Sequence, residues 1–154
     1  MIRNATTADL PGIMAAGRRL QAKTPYKDIP EDIRTVAATM GECINSAFGL
    51  ALVAEHKGKI TGFMFAAAVP LWFSKKRSAT DIVTYAETPG DGYKLIKWFV
   101  DWAWSLPNVT EVTMAQSSGI DTRRAGKLYE RAGLVRVGSI YTAVREIAAA
   151  EVAA

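Results

Sequence analysis

Apolar positions recur along the chain with two alternating periods, and the switches between them mark out its elements. Ile2-Arg3-Asn4-Ala5 reads as a short strand, closed by Thr6-Thr7-Ala8-Asp9. Leu10, Ile13, Met14, Gly17 and Leu20 then fall on one helical stripe. Pro11 suits a first helical turn, so Asp9 is the expected N-cap, with Thr6 as the alternative. The stretch Pro25 to Pro30 breaks the pattern and reads as a loop. Ile33, Val36, Ala37, Met40 and Ile44 predict a second amphipathic helix ending near Ser46. Gly49 to Glu55 and Ile60 to Val69 read as paired strands joined by a tight turn at His56-Lys57-Gly58-Lys59. A connection from Pro70 to Arg77 follows.

The stretch that organises the rest runs from Thr80 to Trp104. An apolar strand, Ile82-Val83-Thr84-Tyr85, stops at a loop of Glu87, Thr88, Pro89, Gly90, Asp91 and Gly92. The loop opens into a helix from Tyr93 to about Ser105, whose aromatic face carries Leu95, Trp98, Phe99, Trp102 and Ala103. A glycine turn feeding a helix start aims several N–H groups at one point, at the positive end of the helix dipole, which suits a phosphate. Taken alone, such a turn is as often only a turn. Pro107-Asn108 breaks the helix, and Val109 to Ala115 is the next strand. Gln116 to Gly119 is a loop, Asp121 caps a last helix, and Gly133 ends it. Leu134 to Val137 and Ser139 to Ile147 read as two final strands, with a frayed tail at 148–154. Residues 1–147 therefore form one domain of order β-α-α-β-β-β-α-β-α-β-β. That order predicts an α/β mixed sheet with helices on both faces, not a wholly parallel one.

Composition narrows the class. With 49% apolar and 22% charged residues this is an ordinary globular chain, not a disordered one. A net charge of +4 suits an anionic ligand, but no basic run points to nucleic acid. The single Cys43 excludes an internal disulfide and fits a reducing compartment. No window is apolar enough for a membrane span, and MIRNATTADLPG carries no leader-like core, so a cytoplasmic location is expected. No metal-ligand spacing is present. A P-loop nucleotide binder is excluded because no Gly-Lys-Ser/Thr follows the glycine loop.

Three motifs in order resemble the GNAT superfamily of acetyl-CoA-dependent N-acetyltransferases. Glu87-Thr88-Pro89-Gly90-Asp91-Gly92 matches the family's pyrophosphate motif except at its first position, where Gln or Arg is usual. Ala125-Gly126-Lys127-Leu128-Tyr129-Glu130-Arg131-Ala132-Gly133-Leu134 resembles the family's later helix, and Ile2 to Leu10 its opening. The resemblance implies a mostly antiparallel sheet of six to seven strands, splayed between strands four and five. It implies acetyl-CoA as cosubstrate, no metal, and transfer of an acetyl group to a primary amine of a small molecule or protein. Glu87 and Asp91 depart from the pattern, since a carboxylate beside a pyrophosphate repels it, and they leave open a catalytically weakened acyl-CoA-binding module.

Carried onto this chain, the resemblance lays acetyl-CoA along Ile82, Val83 and Thr84, with a backbone N–H as oxyanion donor. Its phosphates fall at Glu87 to Lys94, which includes Thr88, Pro89, Gly90, Asp91, Gly92 and Tyr93. Ser117, Thr122 (where the family often has Asn) and Arg123 complete the cofactor set. Tyr129 matches the tyrosine that often protonates the leaving thiolate, although its ring equally suits packing of helix on sheet. No general base stands out: His56 reads as a solvated hairpin tip, and Asp81, Glu87 and Glu111 as strand or strand-end charges. The Trp72-Phe73 pair beside Lys75-Lys76-Arg77 fits acceptor recognition, a homodimer contact, an acidic partner or a plain turn. The first two helices usually shape the acceptor pocket in this family, and here they show no diagnostic set.

Overall fold

Strand order in the sheet follows chain order. The computed structural model describes residues 1–146. The expected tail at 148–154 and the domain limit at 147 lie outside them. Five strands, β1 (Ile2–Asn4), β2 (Gly49–His56), β3 (Lys59–Pro70), β4 (Arg77–Ala86) and β5 (Val109–Thr113), lie side by side in the order 1-2-3-4-5. Every neighbouring pair is antiparallel except β4–β5, which is parallel. The helices are α1 (Leu10–Gln21), α2 (Ile33–Asn45), α3 (Asp91–Ser105) and α4 (Thr122–Arg131). Among the described residues no helix is long and apolar enough to cross a membrane.

Both sheet faces are covered, which explains the unbroken apolar runs of β2 and β3. On one face Ile13, Ala16, Met40 and Cys43, from the first two helices, pack on Ala51, Val53, Phe63, Phe65 and Tyr85. On the other, Leu95, Phe99 and Ala103 of α3 pack on Leu50, Leu52, Met64 and Ala79. The helix stripe of α3 turns toward Ile96 and Val100, so Trp98 lies beyond its edge and is exposed. The expected aromatic face is therefore narrower than the sequence suggests. Gly62 lets β4 close on β3, because a Cβ there would sit 2.7 Å from the Tyr85 carbonyl oxygen.

The end of the chain differs from expectation. Residues 134–146 form neither strand nor helix, and Val137 and Tyr141 are 96% and 93% exposed. The alternation that marks Leu134–Val137 and the following segment as strands is real, but alternation specifies a face and not a partner. No sheet edge pairs with this segment, so the sheet has five strands among the described residues and not six or seven.

One charge cluster ties the first strand to the sheet. Arg3 donates both terminal nitrogens to the Asp9 carboxylate, at 2.8 Å each, and its Nε to Glu55 at 3.0 Å. Asp9 also accepts from the Thr6 amide, so it serves the turn before α1 and does not cap the helix with its own side chain. The Arg3 hydrogen bonds outweigh burial and hold the Asp9 carboxyl at about 2. Because the folded value is depressed, this contribution is present above the unfolded carboxylate's range and is lost as pH falls through about 2. Asp9→Asn should therefore lower stability at neutral pH by about 2 kcal/mol in denaturant titrations. The gap between parent and variant should close between about pH 4 and pH 2.

Candidate active site in the splay between strands four and five

β5 leaves β4 halfway along. The parallel ladder joins Arg77 to Val109, Ser78 to Glu111, Ala79 to Val112 and Thr80 to Thr113, and then ends, while β4 continues six residues further to Ala86. On its other side β4 slips register against β3: Phe65 faces Val83 and Ala66 faces Asp81, which leaves Ile82 bulged between them. Ile82 thus has a ladder partner on neither strand and is 54% exposed. A bulge beside an opening sheet re-aims backbone groups that a regular ladder would consume.

Asp81 stands at the vertex. Its carboxylate accepts the Thr84 hydroxyl at 2.8 Å, and the Ala115 amide faces it from beyond the end of β5. Burial pushes Asp81 above the ordinary carboxylate range, only partly offset by these hydrogen bonds. Tyr129 of α4 is held close enough to feel that charge. Burial first, and the Asp81 charge second, push its phenol up to about 12. No hydrogen bond ties the Tyr129 hydroxyl to another group among the described residues.

Downstream of the splay, the loop from Glu87 to Gly90 turns the chain into α3. The Glu87 amide donates to the Thr61 carbonyl, Asp91 to the Thr88 carbonyl, and Gly90 sits at φ +88° as N-cap, a left-handed conformation that glycine adopts without a Cβ penalty. The amides of the first helical turn have no acceptor inside the helix and carry the positive end of its dipole.

The two acids that depart from the resemblance both have partners within the chain. Glu87 takes the Arg19 guanidinium from α1 and the Tyr85 hydroxyl at 3.3 Å. Burial raises its carboxyl, but the Arg19 hydrogen bond and charge outweigh this and the net displacement is downward. Arg19 itself is fixed by a 3.0 Å bond to the Ile60 carbonyl. Asp91 points inward: its side chain is 3% exposed, lies 2.6 Å from His56 Nε2, and has Lys94 Nζ at 3.7 Å.

Ile82, Val83, Thr84 and the loop residues Glu87, Thr88, Pro89, Gly90, Asp91, Gly92, Tyr93 and Lys94 thus run in sequence from the bulge to the start of α3. Tyr129 is brought to Asp81 at the vertex. Ser117 lies in the β5–α4 loop, where its carbonyl accepts the Tyr26 hydroxyl at 3.3 Å. Thr122 and Arg123 occupy the exposed first turn of α4. The basic side chain of α4 that reaches the start of α3 is Arg131, whose guanidinium lies 4.2 Å from the Tyr93 ring centre. Arg123 is eight residues back along the helix, about 12 Å by axial rise. Sequence reasoning missed Arg131, Arg19 and the His56–Asp91 pair, because each acts across elements far apart in the chain. It also read Asp81 as a strand-end charge, and only its place at the vertex, beside the Ala115 amide, distinguishes it.

Two cavities flank these residues. One, about 320 Å³, is lined by Arg3, Asp9, Arg19, Glu55 and Lys59 behind the start of α1. The other, about 240 Å³, lies between α1, α2 and the sheet, and Ile82 and Val83 are part of its wall. Among the described residues no group of three or more His, Cys, Asp or Glu side chains could hold a metal ion. Trp72 and Phe73 stack edge to face at 5.4 Å on the β3–β4 connection, with Trp72 94% exposed.

No family model matches the chain, and no curated protein does. Solved structures do. An Agrobacterium tumefaciens protein provisionally named an acetyltransferase superposes with a TM-score of 0.71 at 19% identity, covering 94% of this chain and 99% of that one. An aminoglycoside acetyltransferase from an uncultured soil metagenomic sample gives 0.66 at 18% identity, covering 94% and 96%. A ribosomal-protein-alanine N-acetyltransferase from Brucella melitensis biovar Abortus gives 0.66 at 16%, covering 94% and 98%. The chain has the GNAT fold: a mixed, mostly antiparallel sheet whose parallel fourth and fifth strands part beside a glycine-loop helix start.

The position of Asp81 yields a pH test. An acid whose folded value is raised destabilises the fold once it ionises, and that cost disappears as pH falls below its folded value. Asp81→Asn should melt no lower than the parent at neutral pH, with the parent gaining on it as the solution is acidified. A variant markedly less stable than the parent at neutral pH would show that the ionised carboxylate contributes net stability at the vertex.

Proposed function

We propose that this protein is an acetyl-CoA-dependent N-acetyltransferase that acetylates a primary amine. The observation that carries the reading is the parting of β4 and β5 at Thr80 beside the unpartnered Ile82, in line with the start of α3. The donor set fits the nucleotide end of acetyl-CoA: helix-start amides, Lys94 and Arg131 are present, Glu87 is paired with Arg19, and Asp91 turns inward to His56. That arrangement favours an active enzyme over a weakened acyl-CoA-binding module. When bound, acetyl-CoA supplies the acyl group as an activated thioester.

The chain's own groups then have three tasks. The backbone of Ile82, Val83 and Thr84, free of β5, accepts the ligand's amides as a strand would and offers an N–H to the developing oxyanion. The amine nitrogen bonds to the acyl carbon, the carbon–sulfur bond breaks, and one proton leaves nitrogen while one reaches sulfur, giving an amide and a thiol. Tyr129 is the donor assigned to the sulfur. Since its phenol lies near 12 and a thiol near 8.5, it stays protonated at neutral pH and donates a hydrogen bond to the departing sulfur, and the proton that ends on sulfur is drawn from solvent water. Asp81, raised by burial and adjacent in charge, is the carboxylate best placed to accept a proton in the same exchange.

Ser117, Thr122 and Arg123 remain part of the proposed cofactor surface, at the end of the splay nearest α4. A cytoplasmic location belongs to the reading and rests on the single, buried Cys43. So does a homodimer, supported by the exposed apolar positions of residues 134–146 and by Trp72. The aminoglycoside and ribosomal-protein neighbours act on very different amines, so neither acceptor transfers to this chain.

Two measurements test this. Acetyl-CoA should raise the melting temperature by mass action; no shift at millimolar ligand would remove the cofactor assignment. Tyr129→Phe keeps the ring and removes a hydroxyl without a partner, so stability should hardly change while kcat falls by roughly 10²–10⁴. Affinity for acetyl-CoA should stay near that of the parent, because charge on sulfur develops only in the transition state. A Phe variant as active as the parent would return Tyr129 to a packing role.

A further inference from the structure

We infer that the acceptor is a primary amine carried on one compact apolar body, of the size of an arylalkylamine, and not a polycation or a peptide. The inference rests on the acetyl-transfer reading and adds the chemistry of the second substrate. It starts from the cavity of about 240 Å³ between α1, α2, β3 and β4. Ile82 and Val83 form part of its wall, so a body seated there holds its amine beside the bulge where the acyl carbon must lie.

The remaining wall is apolar. Ile13 and Met14 come from α1, Val36 from α2, and Phe63 and Phe65 from β3. The two phenylalanine rings stand 5.7 Å apart, tilted by 55°, and close the inner end of the cavity. At this volume, below the usual range for drug-sized ligands, the cavity matches about one ring and a short alkyl arm.

Charge argues the same way. Among the described residues Glu31 is the one ionisable group on the wall, and Arg18 already holds it at 2.6 Å. Gln21, Thr35 and Thr39 are the other polar side chains there and carry no charge. A polyamine or aminoglycoside would bring several ammonium groups against Ile, Met and Phe with no counter-charge, and each would lose its hydration uncompensated. A single amine meets the opposite situation. Desolvation in an apolar cavity disfavours the ammonium form, so the nitrogen becomes nucleophilic without a dedicated base on the cavity wall. A peptide acceptor needs an open groove for its chain. Here the Tyr26 hydroxyl bonds the Ser117 carbonyl and ties the α1–α2 connection to the β5–α4 loop across the end of the splay.

The test uses the full chain with acetyl-CoA and follows thiol release. The acceptors are phenylethylamine, tryptamine, spermidine, kanamycin and a peptide beginning with alanine. The arylalkylamines should exceed every other acceptor in kcat/KM by roughly 100-fold. Thr39→Trp should fill the cavity from its rim and raise KM for phenylethylamine by roughly tenfold or more, with KM for acetyl-CoA unchanged. Gly17→Ala, whose added Cβ would meet nothing nearer than Phe63 Cζ at 3.9 Å, is a milder second variant and should shift KM for the amine in the same direction. Any panel in which the arylalkylamines are not the best acceptors overturns the inference. If spermidine, kanamycin or the peptide is acetylated instead, acetyl transfer stands and only the acceptor class falls. If no amine releases thiol and acetyl-CoA gives no thermal shift, the proposed function falls with it.

Discussion

The opening of the sheet depends on one half-buried carboxylate. Asp81 lies in β4 immediately after the last residue that pairs with β5, where a regular ladder would bury its backbone against the neighbouring strand. A carboxyl group in that position needs partners, and it accepts the Thr84 hydroxyl of its own strand and faces the Ala115 amide from beyond the other. An amide turned toward a side chain is not available to extend a backbone ladder. β5 therefore parts from β4 at Thr113, the bulge at Ile82 is left without partners, and the groove exists. Everything else in the site, from the start of α3 to Tyr129, is arranged around that gap.

A second constraint is electrostatic. A loop that receives pyrophosphate tolerates acids only if their charge is spent elsewhere. Glu87 is paired with Arg19 of α1, and Asp91 turns inward to His56 at the end of β2, so neither carboxylate stands unpartnered at the loop. Arg19 in particular joins α1 to the first residue of the glycine loop.

The periodicity of the chain made the helices, the β2–β3 hairpin and the glycine turn legible, because each rests on contacts between residues close in sequence. The splay was legible only through resemblance, since the parting of β4 from β5 is decided by Asp81 and Ala115, more than thirty residues apart. Asp81 looked like a strand-end acid because its approach to the Ala115 amide cannot be read from its neighbours in the chain. Tyr129 stood out by motif, but its displacement to about 12 belongs to the folded packing alone. Trp98 was misplaced for a simpler reason: the stripe of α3 is turned toward Ile96 and Val100, and one helical position separates core from surface. Leu134 to Val137 and the segment after it alternate as strands do, yet a strand is completed by a partner's backbone, which no single segment encodes.

Backbone amide shifts during an acetyl-CoA titration of the labelled protein test the central claim most directly. If the gap between β4 and β5 holds the ligand, the amides of Ile82, Val83 and Thr84 and those from Gly90 to Lys94 should move together with a single binding constant, while β1 stays unperturbed. Shifts confined to the charged cavity around Arg3, Asp9 and Lys59, or to residues away from both β4 and the start of α3, would contradict it.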